Sequence, residues 1–379
     1  MSACRTWVEF QQNTEKCINK KTEDIDLAVM KSRIRRYLFD ILFYINDGAV
    51  MSSGKELVKK CLPASILKAQ RLICNLDQRN KMLFNKFGIR YSPNLSDFPS
   101  MVMIDTTTRC NLACNHCPNS VLSADETWGG DMNYELYKKI IDEIARENPE
   151  TIVRPFDGGE PLMRNDIEVF IRYAKNRGIK WVSINSNGTL LTDKRARSII
   201  DSGLDHIEIS VDAFTKETYK KIKNVDMYDR VVQNTENLIT IRNKGSYDLR
   251  VSVSFVRQKD NFQELDAFSH YWRNKADVVT IREFHQHGGL IGSQGKYLER
   301  RVRRRPPCPY LWDRMIVEHN GDVRFCENDW KVQHKIGSVM EQSLKQIWLS
   351  EPYQNLRQSH VRGEFDHPFC QRCSDWDTI

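Results

Sequence analysis

Three cysteines, Cys110, Cys114 and Cys117, stand at spacing C-x3-C-x2-C in the stretch CNLACNHC. Thiolates are soft ligands, and a cluster of them points to zinc or iron. A tetrahedral zinc site would need His116 as fourth ligand. His116 adjoins Cys117, and neighbouring residues rarely close a tetrahedron. An iron–sulfur cluster suits thiolate-rich ligation better, and three thiolates on a four-iron cluster leave one iron open for something else to bind. A second set, Cys308, Cys326, Cys370 and Cys373, ends in a CxxC pair. By spacing alone this set reads as a zinc ribbon. Polar motifs accompany the first set: DGGE at 157–160, Ser186-Asn187-Gly188, and Ser210-Val211-Asp212.

Those groups need elements to position them. From about residue 100, strand and helix patterns alternate. MVMIDTTT, TIVRPFDGG, WVSINSNGT, HIEISVDA, LRVSVSFV and VVTIREFH read as strands, and amphipathic helices separate them. YELYKKIIDEIARE carries Leu136, Ile140, Ile141 and Ile144 on one face, and two of the helices end on Gly178 and Gly203. Six β/α units argue for an α/β fold with a parallel sheet, a partial (β/α)6 barrel open on one side. The strands alternate: Ile207, Ile209 and Val211 oppose Glu208, Ser210 and Asp212. Apolar faces should meet the helices, and polar faces should line a lumen. The cysteine loop and the polar motifs follow the first four strands, at the carboxyl rim where barrel active sites lie. DRMIVEHNGDVRFC reads as a hairpin around Asn320-Gly321, followed by a helix, SLKQIWLS. Three regions result: a helical N-terminal extension (1–98), the barrel (99–295) and a small C-terminal β-hairpin/helix domain (296–379).

Composition sets the outer limits. The chain has 379 residues, 40% of them hydrophobic, and a net charge of +7, which suits an anionic substrate or acidic partner. Part of the excess lies in the run Arg300 to Arg305, which reads as a solvated loop rather than a nucleic-acid patch. No apolar stretch is long enough to span a membrane, and no secretory signal opens the chain, so a cytoplasmic location is expected. In that reducing compartment the 11 cysteines should not form disulfides. Cys4, Cys17, Cys61 and Cys74 read as ordinary thiols.

C-x3-C-x2-C after the first strand, GGE after the second and the rim motifs together resemble the radical S-adenosylmethionine (radical SAM) superfamily, over about residues 100–290. The resemblance implies that Cys110, Cys114 and Cys117 hold a 4Fe-4S cluster whose fourth iron binds S-adenosylmethionine (SAM). Reductive cleavage of SAM then yields a 5′-deoxyadenosyl radical that takes a hydrogen atom from substrate. Gly158 and Gly159 would admit backbone close to SAM, Glu160 would meet its amino group, and Asn187, Ser210 and Asp212 match positions that hold ribose and carboxylate. His116 stands where the family usually places an aromatic residue beside adenine. The rim residues read equally as turn caps at strand ends. C-x12-G-x4-C from Cys308 to Cys326 resembles the start of a SPASM domain. With six residues after Cys373, it resembles the shortened Twitch form. That implies one auxiliary 4Fe-4S cluster ligated by Cys308, Cys326, Cys370 and Cys373, carrying electrons with no open iron.

SPASM and Twitch enzymes modify peptides or small polar molecules. The terminal cysteine pattern resembles the aminocyclitol dehydrogenase of the butirosin pathway and its relatives. A small-molecule substrate, a carbohydrate or aminocyclitol, is therefore expected, undergoing dehydrogenation or else dehydration or epimerisation. A flavodoxin or ferredoxin-type electron donor would serve it, with no nucleic acid and no membrane involved. Modification of a peptide or protein is the alternative, and a non-catalytic iron–sulfur or zinc protein is the reading from another class. The sixth strand and its loop offer Arg282, Glu283, His285 and His287 as lumen groups, with Arg282 inward and catalytic candidates in Arg282, Glu283 and His285.

Overall fold

Alternating β-branched residues build the strands, and the computed structural model arranges them as a parallel sheet followed by an antiparallel extension. It describes residues 96–122, 129–287, 290–292, 305–371 and 373. The helices expected within 1–95, the scattered cysteines there, and most of the basic run before Arg305 lie outside the described residues.

The barrel region runs β1 (Met101–Ile104), α1 (Asn119–Leu122), α2 (Tyr134–Glu147), β2 (Ile152–Arg154), α3 (Ile167–Asn176), β3 (Ser183–Ser186), α4 (Asp193–Asp201), β4 (His206–Ser210), α5 (Lys216–Lys223), α6 (Tyr228–Gly245), β5 (Arg250–Arg257), α7 (Leu265–Trp272) and β6 (Val278–Glu283). The expected helices form where polar caps start them. The Asn133 side chain accepts from Glu135 N before α2, and Thr192 and Thr215 do the same for α4 and α5. Gly178 and Gly203 follow helices with φ of +88° and +82°. The outward strand residues Ile184, Ile207, Ile209, Val251, Val253 and Phe255 are fully buried against the helices. Each such side chain contributes about 1.5–3 kcal/mol relative to exposure.

The sheet departs from a uniform barrel at two places. β3 to β6 pair in parallel order, and β1 pairs β2, but between β2 and β3 the ladder reduces to one bridge, Val153 with Val182. β1 is also shorter than MVMIDTTT suggests: the backbone leaves the strand at Asp105 and turns over the rim.

On the other side of β1 the C-terminal segment extends the sheet. After α8 (Tyr310–Asp313) comes the hairpin of β7 (Arg314–Val317) and β8 (Asp322–Arg324), then β9 (Lys335–Ser338), α9 (Leu344–Trp348), α10 (Glu351–Arg362) and α11 (Pro368–Gln371). β7 pairs β1 in parallel, from Met101 with Arg314 to Ile104 with Val317, so the C-terminal hairpin continues the barrel sheet. Its turn is at Gly321, φ +92°, as Asn320-Gly321 suggests. A carboxylate from α2 adds a second tie: buried Glu143 accepts from Leu344 N and Lys345 N, both at 3.0 Å, and so caps α9.

At this junction one guanidinium meets three buried carboxylates. Arg324 pairs with Asp157 and Glu318, and Asp105 stands beside them, accepting from Gly158 N at 3.4 Å. Burial first, then repulsion from Glu318 and Asp157, raises the Asp105 pKa well above its ordinary value. An acid with a raised folded-state pKa stabilises the fold fully at low pH and loses that contribution as pH rises through the folded pKa. Asp105→Asn, which keeps the acceptor and removes the acid, should therefore unfold at a higher temperature than wild type at alkaline pH. The gap should widen by up to about 1.4 kcal/mol per pH unit between the ordinary carboxylate range and the raised pKa, and level off above it. Melting curves from pH 4 to pH 8 with a constant gap would contradict the protonated assignment.

Candidate active site

The cysteine triad sits on the loop after β1, held from three sides. Asn115 N donates to Ile222 O at 2.9 Å and Asn224 Nδ2 to Ala113 O at 2.6 Å, docking the loop on the end of α5. Glu160 N donates to Arg109 O at 2.9 Å. A Cβ on Gly159 would stand 2.1 Å from Thr107 O and 2.7 Å from Arg109 O. The glycine expected to make room for a cofactor thus makes room for the cysteine loop's own backbone. A Cβ on Gly158 would meet a different wall, 3.2 Å from both Asp105 Oδ2 and the Trp330 ring.

Glu160 is buried, and its carboxylate is engaged within the protein. It accepts from Asn187 N at 2.6 Å, Ser186 Oγ at 2.8 Å and Leu162 N at 3.0 Å. The GGE turn is thereby fastened to the end of β3, across the place where the ladder nearly breaks. Asn187 Nδ2 then reaches Asn111 Oδ1 at 2.9 Å and Cys110 Sγ at 3.9 Å. Asn187, Glu160 and Cys110 form one connected group, as their rim positions suggest.

Asp212 and Ser210 lie on the far side of the same rim. Ser210 Oγ stands 3.4 Å from Ser254 Oγ. Asp212 adopts a left-handed backbone, φ +62°, and accepts from Val256 N at 2.7 Å. Its carboxylate pairs with Lys223 Nζ at 2.6 Å, and His116 Nε2 is 3.8 Å away. Burial and the Lys223 ammonium push the His116 imidazole down to about 4, so it is neutral. Lys223 itself is 2% exposed. Burial alone would depress its pKa, but Asp212 and Cys114 outweigh that and raise it, so the ammonium stays charged beside the triad. KETYKKIK reads as a solvated basic helix, and nothing in it marks the last lysine as a rim residue.

The lumen is polar, as alternation predicts. Arg154, Asn185, Glu208 and Arg282 form a belt across it. Arg282 holds Glu208 with both nitrogens, at 2.6 and 3.1 Å. Asn185 Nδ2 donates to Glu208 Oε1 at 3.1 Å, and Arg154 Nη2 to Asn185 Oδ1 at 3.4 Å. Glu283 pairs with Arg257. Two of the three expected catalytic groups, Arg282 and Glu283, are therefore committed to ion pairs, and a paired carboxylate is a poor free base. His285 lies 6.3 Å, ring to ring, from His287. His287 is the group sequence reading left aside: its Nδ1 is buried with no hydrogen-bond partner among the described residues. Burial, then neighbouring His285, pushes its imidazole down to about 3.

The C-terminal segment packs against the rim. Trp330 packs edge-on to His287 at 5.8 Å and against Gly158. Arg324 Nη1 donates to Cys326 O at 2.6 Å while Nη2 holds Asp157 of the GGE turn. Cys308, Cys326, Cys370 and Cys373 line a single cavity with Leu311 and Phe325. Yet among the described residues no three Cys, His, Asp or Glu side chains are arranged to hold a single metal ion, here or at the triad. Four thiols around a shared apolar cavity fit a cluster by their donor chemistry, and three thiols with a polar rim fit a cluster with one iron left open.

The family model of the radical SAM superfamily matches residues 104–264, and that of an iron–sulfur cluster-binding domain, SPASM, matches 308–374. The chain is 26% identical over 317 residues, 72% of its length and 86% of the relative's, to the tungsten-containing aldehyde ferredoxin oxidoreductase cofactor-modifying protein of Pyrococcus furiosus. It is 30% identical over 195 residues to a probable GTP 3′,8-cyclase of Methanococcus maripaludis, matching 52% of this chain and only 61% of that one. Among solved structures, BtrN in complex with AdoMet and 2-DOIA shares the fold, with a TM-score of 0.50 at 18% identity over 73% of this chain and 93% of that one.

The Gly159 contacts yield a test. Gly159→Ala should push the Thr107–Arg109 backbone aside and impair the triad alone, lowering bound iron by about half while the C-terminal set stays loaded. Iron analysis and melting curves of the anaerobically reconstituted variant check this. Full iron content would mean that the close approach is not needed. The chain belongs to the radical SAM superfamily and carries a C-terminal SPASM iron–sulfur cluster-binding domain.

Proposed function

We propose that this radical SAM enzyme removes a hydrogen atom from a small polar molecule, a carbohydrate or aminocyclitol, and dehydrogenates it. Its cofactors are a SAM-binding 4Fe-4S cluster, SAM and an auxiliary iron–sulfur cluster, and when bound they supply a 5′-deoxyadenosyl radical and a place for an electron. The observation that carries the substrate reading is the belt of Arg154, Asn185, Glu208 and Arg282 across the lumen. A lumen lined with paired donors and acceptors suits a hydroxyl-rich ligand better than an apolar one. The cyclase relatives act, by their name, on a nucleotide, which supports a small polar substrate.

In this reading Cys110, Cys114 and Cys117 hold the SAM-binding cluster, with Asn187 beside Cys110. Glu160 supports the SAM side by fixing Ser186 and Asn187. Asp212 is held in place by Lys223 and Val256 N, and His116 lies against it as a neutral ring. Arg282 and Glu283 shape the lumen through their ion pairs. His287 Nδ1, buried and without a hydrogen-bond partner among the described residues, is placed to accept a hydrogen bond from a substrate hydroxyl. Cys308, Cys326, Cys370 and Cys373 hold the auxiliary cluster, and four thiolates leave no position open for substrate, which supports an electron-accepting role. A flavodoxin- or ferredoxin-type protein would supply reducing electrons.

Two variants test the division of labour, with candidate aminocyclitols supplied and products read by mass spectrometry. Replacing Cys110, Cys114 and Cys117 by Ala should abolish 5′-deoxyadenosine and leave about half the iron. Cys370→Ala/Cys373→Ala should still make 5′-deoxyadenosine but no oxidised product. Normal oxidised product from the second variant would defeat dehydrogenation through the auxiliary site.

A further inference from the structure

Helix α10 carries a histidine that no motif singles out. His360, in EPYQNLRQSHVR, is 1% exposed. Its two ring nitrogens face two of the four C-terminal cysteines. Cys308 N donates to His360 Nδ1 at 3.2 Å, and His360 Nε2 stands 3.4 Å from Cys370 Sγ. The first contact settles the second. A nitrogen that accepts a backbone N–H cannot also carry a proton, so the ring hydrogen is on Nε2 and is directed at the sulfur.

The ring is held in this pose. Phe365 packs edge-on to it at 4.9 Å between ring centres, and Arg305 lies over the Phe365 face. The helix is fixed from the other side, where Arg357 donates to Leu311 O and Trp348 O, each at 2.7 Å, and Tyr353 Oη to Arg314 O at 3.1 Å. Arg305 Nη1 also donates to Cys370 O at 2.7 Å, which fixes the backbone that presents the sulfur. Neither histidine nitrogen points to solvent, and neither reaches the lumen residues described above.

We propose that His360 is a positioning and tuning residue of the auxiliary site: its Nε2–H donates to the Cys370 sulfur and makes the cluster held there easier to reduce. This rests on the reading that Cys308, Cys326, Cys370 and Cys373 ligate that cluster. Sulfur ligands gain negative charge when a cluster is reduced, and a hydrogen bond to sulfur stabilises the reduced form more than the oxidised one. The direction suits a site that must accept an electron from an oxidised substrate. The same ring, by taking the Cys308 N–H, also keeps two cysteines from distant parts of the chain in register.

The two functions of the ring can be separated. In His360→Asn the side-chain oxygen replaces Nδ1 and can still accept from Cys308 N, but the donor to Cys370 is gone. In His360→Gln the amide nitrogen replaces Nε2 and keeps that donor. Full-length holoenzyme, reconstituted anaerobically, is titrated electrochemically and followed by electron paramagnetic resonance, with the SAM-binding cluster as internal reference. His360→Asn should lower the reduction equilibrium constant of one cluster by about tenfold, a drop of 59 mV for a one-electron couple, and leave the other unchanged. His360→Gln should leave both near wild type. An unshifted potential in His360→Asn overturns the proposal. So does an equal shift in both variants, or loss of half the iron in both, because His360 would then be only a structural prop. A wild-type protein with one redox-active cluster would instead defeat the ligand reading itself.

Discussion

The buried guanidinium of Arg324 is the constraint on which the rest of the structure depends. It pairs with Asp157 in the GGE turn and with Glu318 at the end of β7, and it donates to the carbonyl of Cys326. Taking such charges out of water is unfavourable unless every partner is in place, and removing one partner typically costs about 3–5 kcal/mol. The turn beside the triad and the loop that carries Cys326 therefore cannot move independently. β7 on β1 and Glu143 on α9 enforce the same relation at the backbone. Side chains from both segments thus fix the separation between the turn beside the triad and the loop of Cys326.

A second constraint works inside the barrel. Between β2 and β3 the backbone ladder provides one bridge, and side chains span the rest. Glu160 reaches Ser186 and Asn187 at the rim, and Arg154 reaches Asn185 in the lumen. Glu160 and Asn187, which sequence reading assigned to the cofactor, also hold the two halves of the sheet together. Glu160 is the plainest case: a carboxylate accepting three internal hydrogen bonds cannot be altered without moving the end of β3.

What was legible in the sequence follows from the range of the interactions involved. Period-2 alternation showed the six barrel strands, their inward and outward faces and the inward placement of Arg282. The Asn-Gly pair showed the hairpin, and cysteine spacing showed two thiol-rich sites. Each of these is a local signal. The partners were not legible, because ion pairs such as Arg282 with Glu208 or Arg324 with Asp157 join segments far apart in the chain. Parallel pairing of β7 with β1 leaves no mark in either strand, and β9 is too short to show a period. Lys223 looks like its solvated neighbours until α5 is docked under the cysteine loop. His360 looks like a helix-end histidine until Cys308 and Cys370 are brought to either side of it.

Everything above turns on two chemically distinct iron–sulfur sites in one body, only one of them with an iron open to SAM. Electron paramagnetic resonance of the anaerobically reconstituted, dithionite-reduced protein, recorded with and without SAM, tests this most directly. The account predicts two cluster signals from about eight irons per chain, with SAM perturbing one and leaving the other unchanged. A single signal, zinc in place of the second, or two signals that both ignore SAM would contradict it.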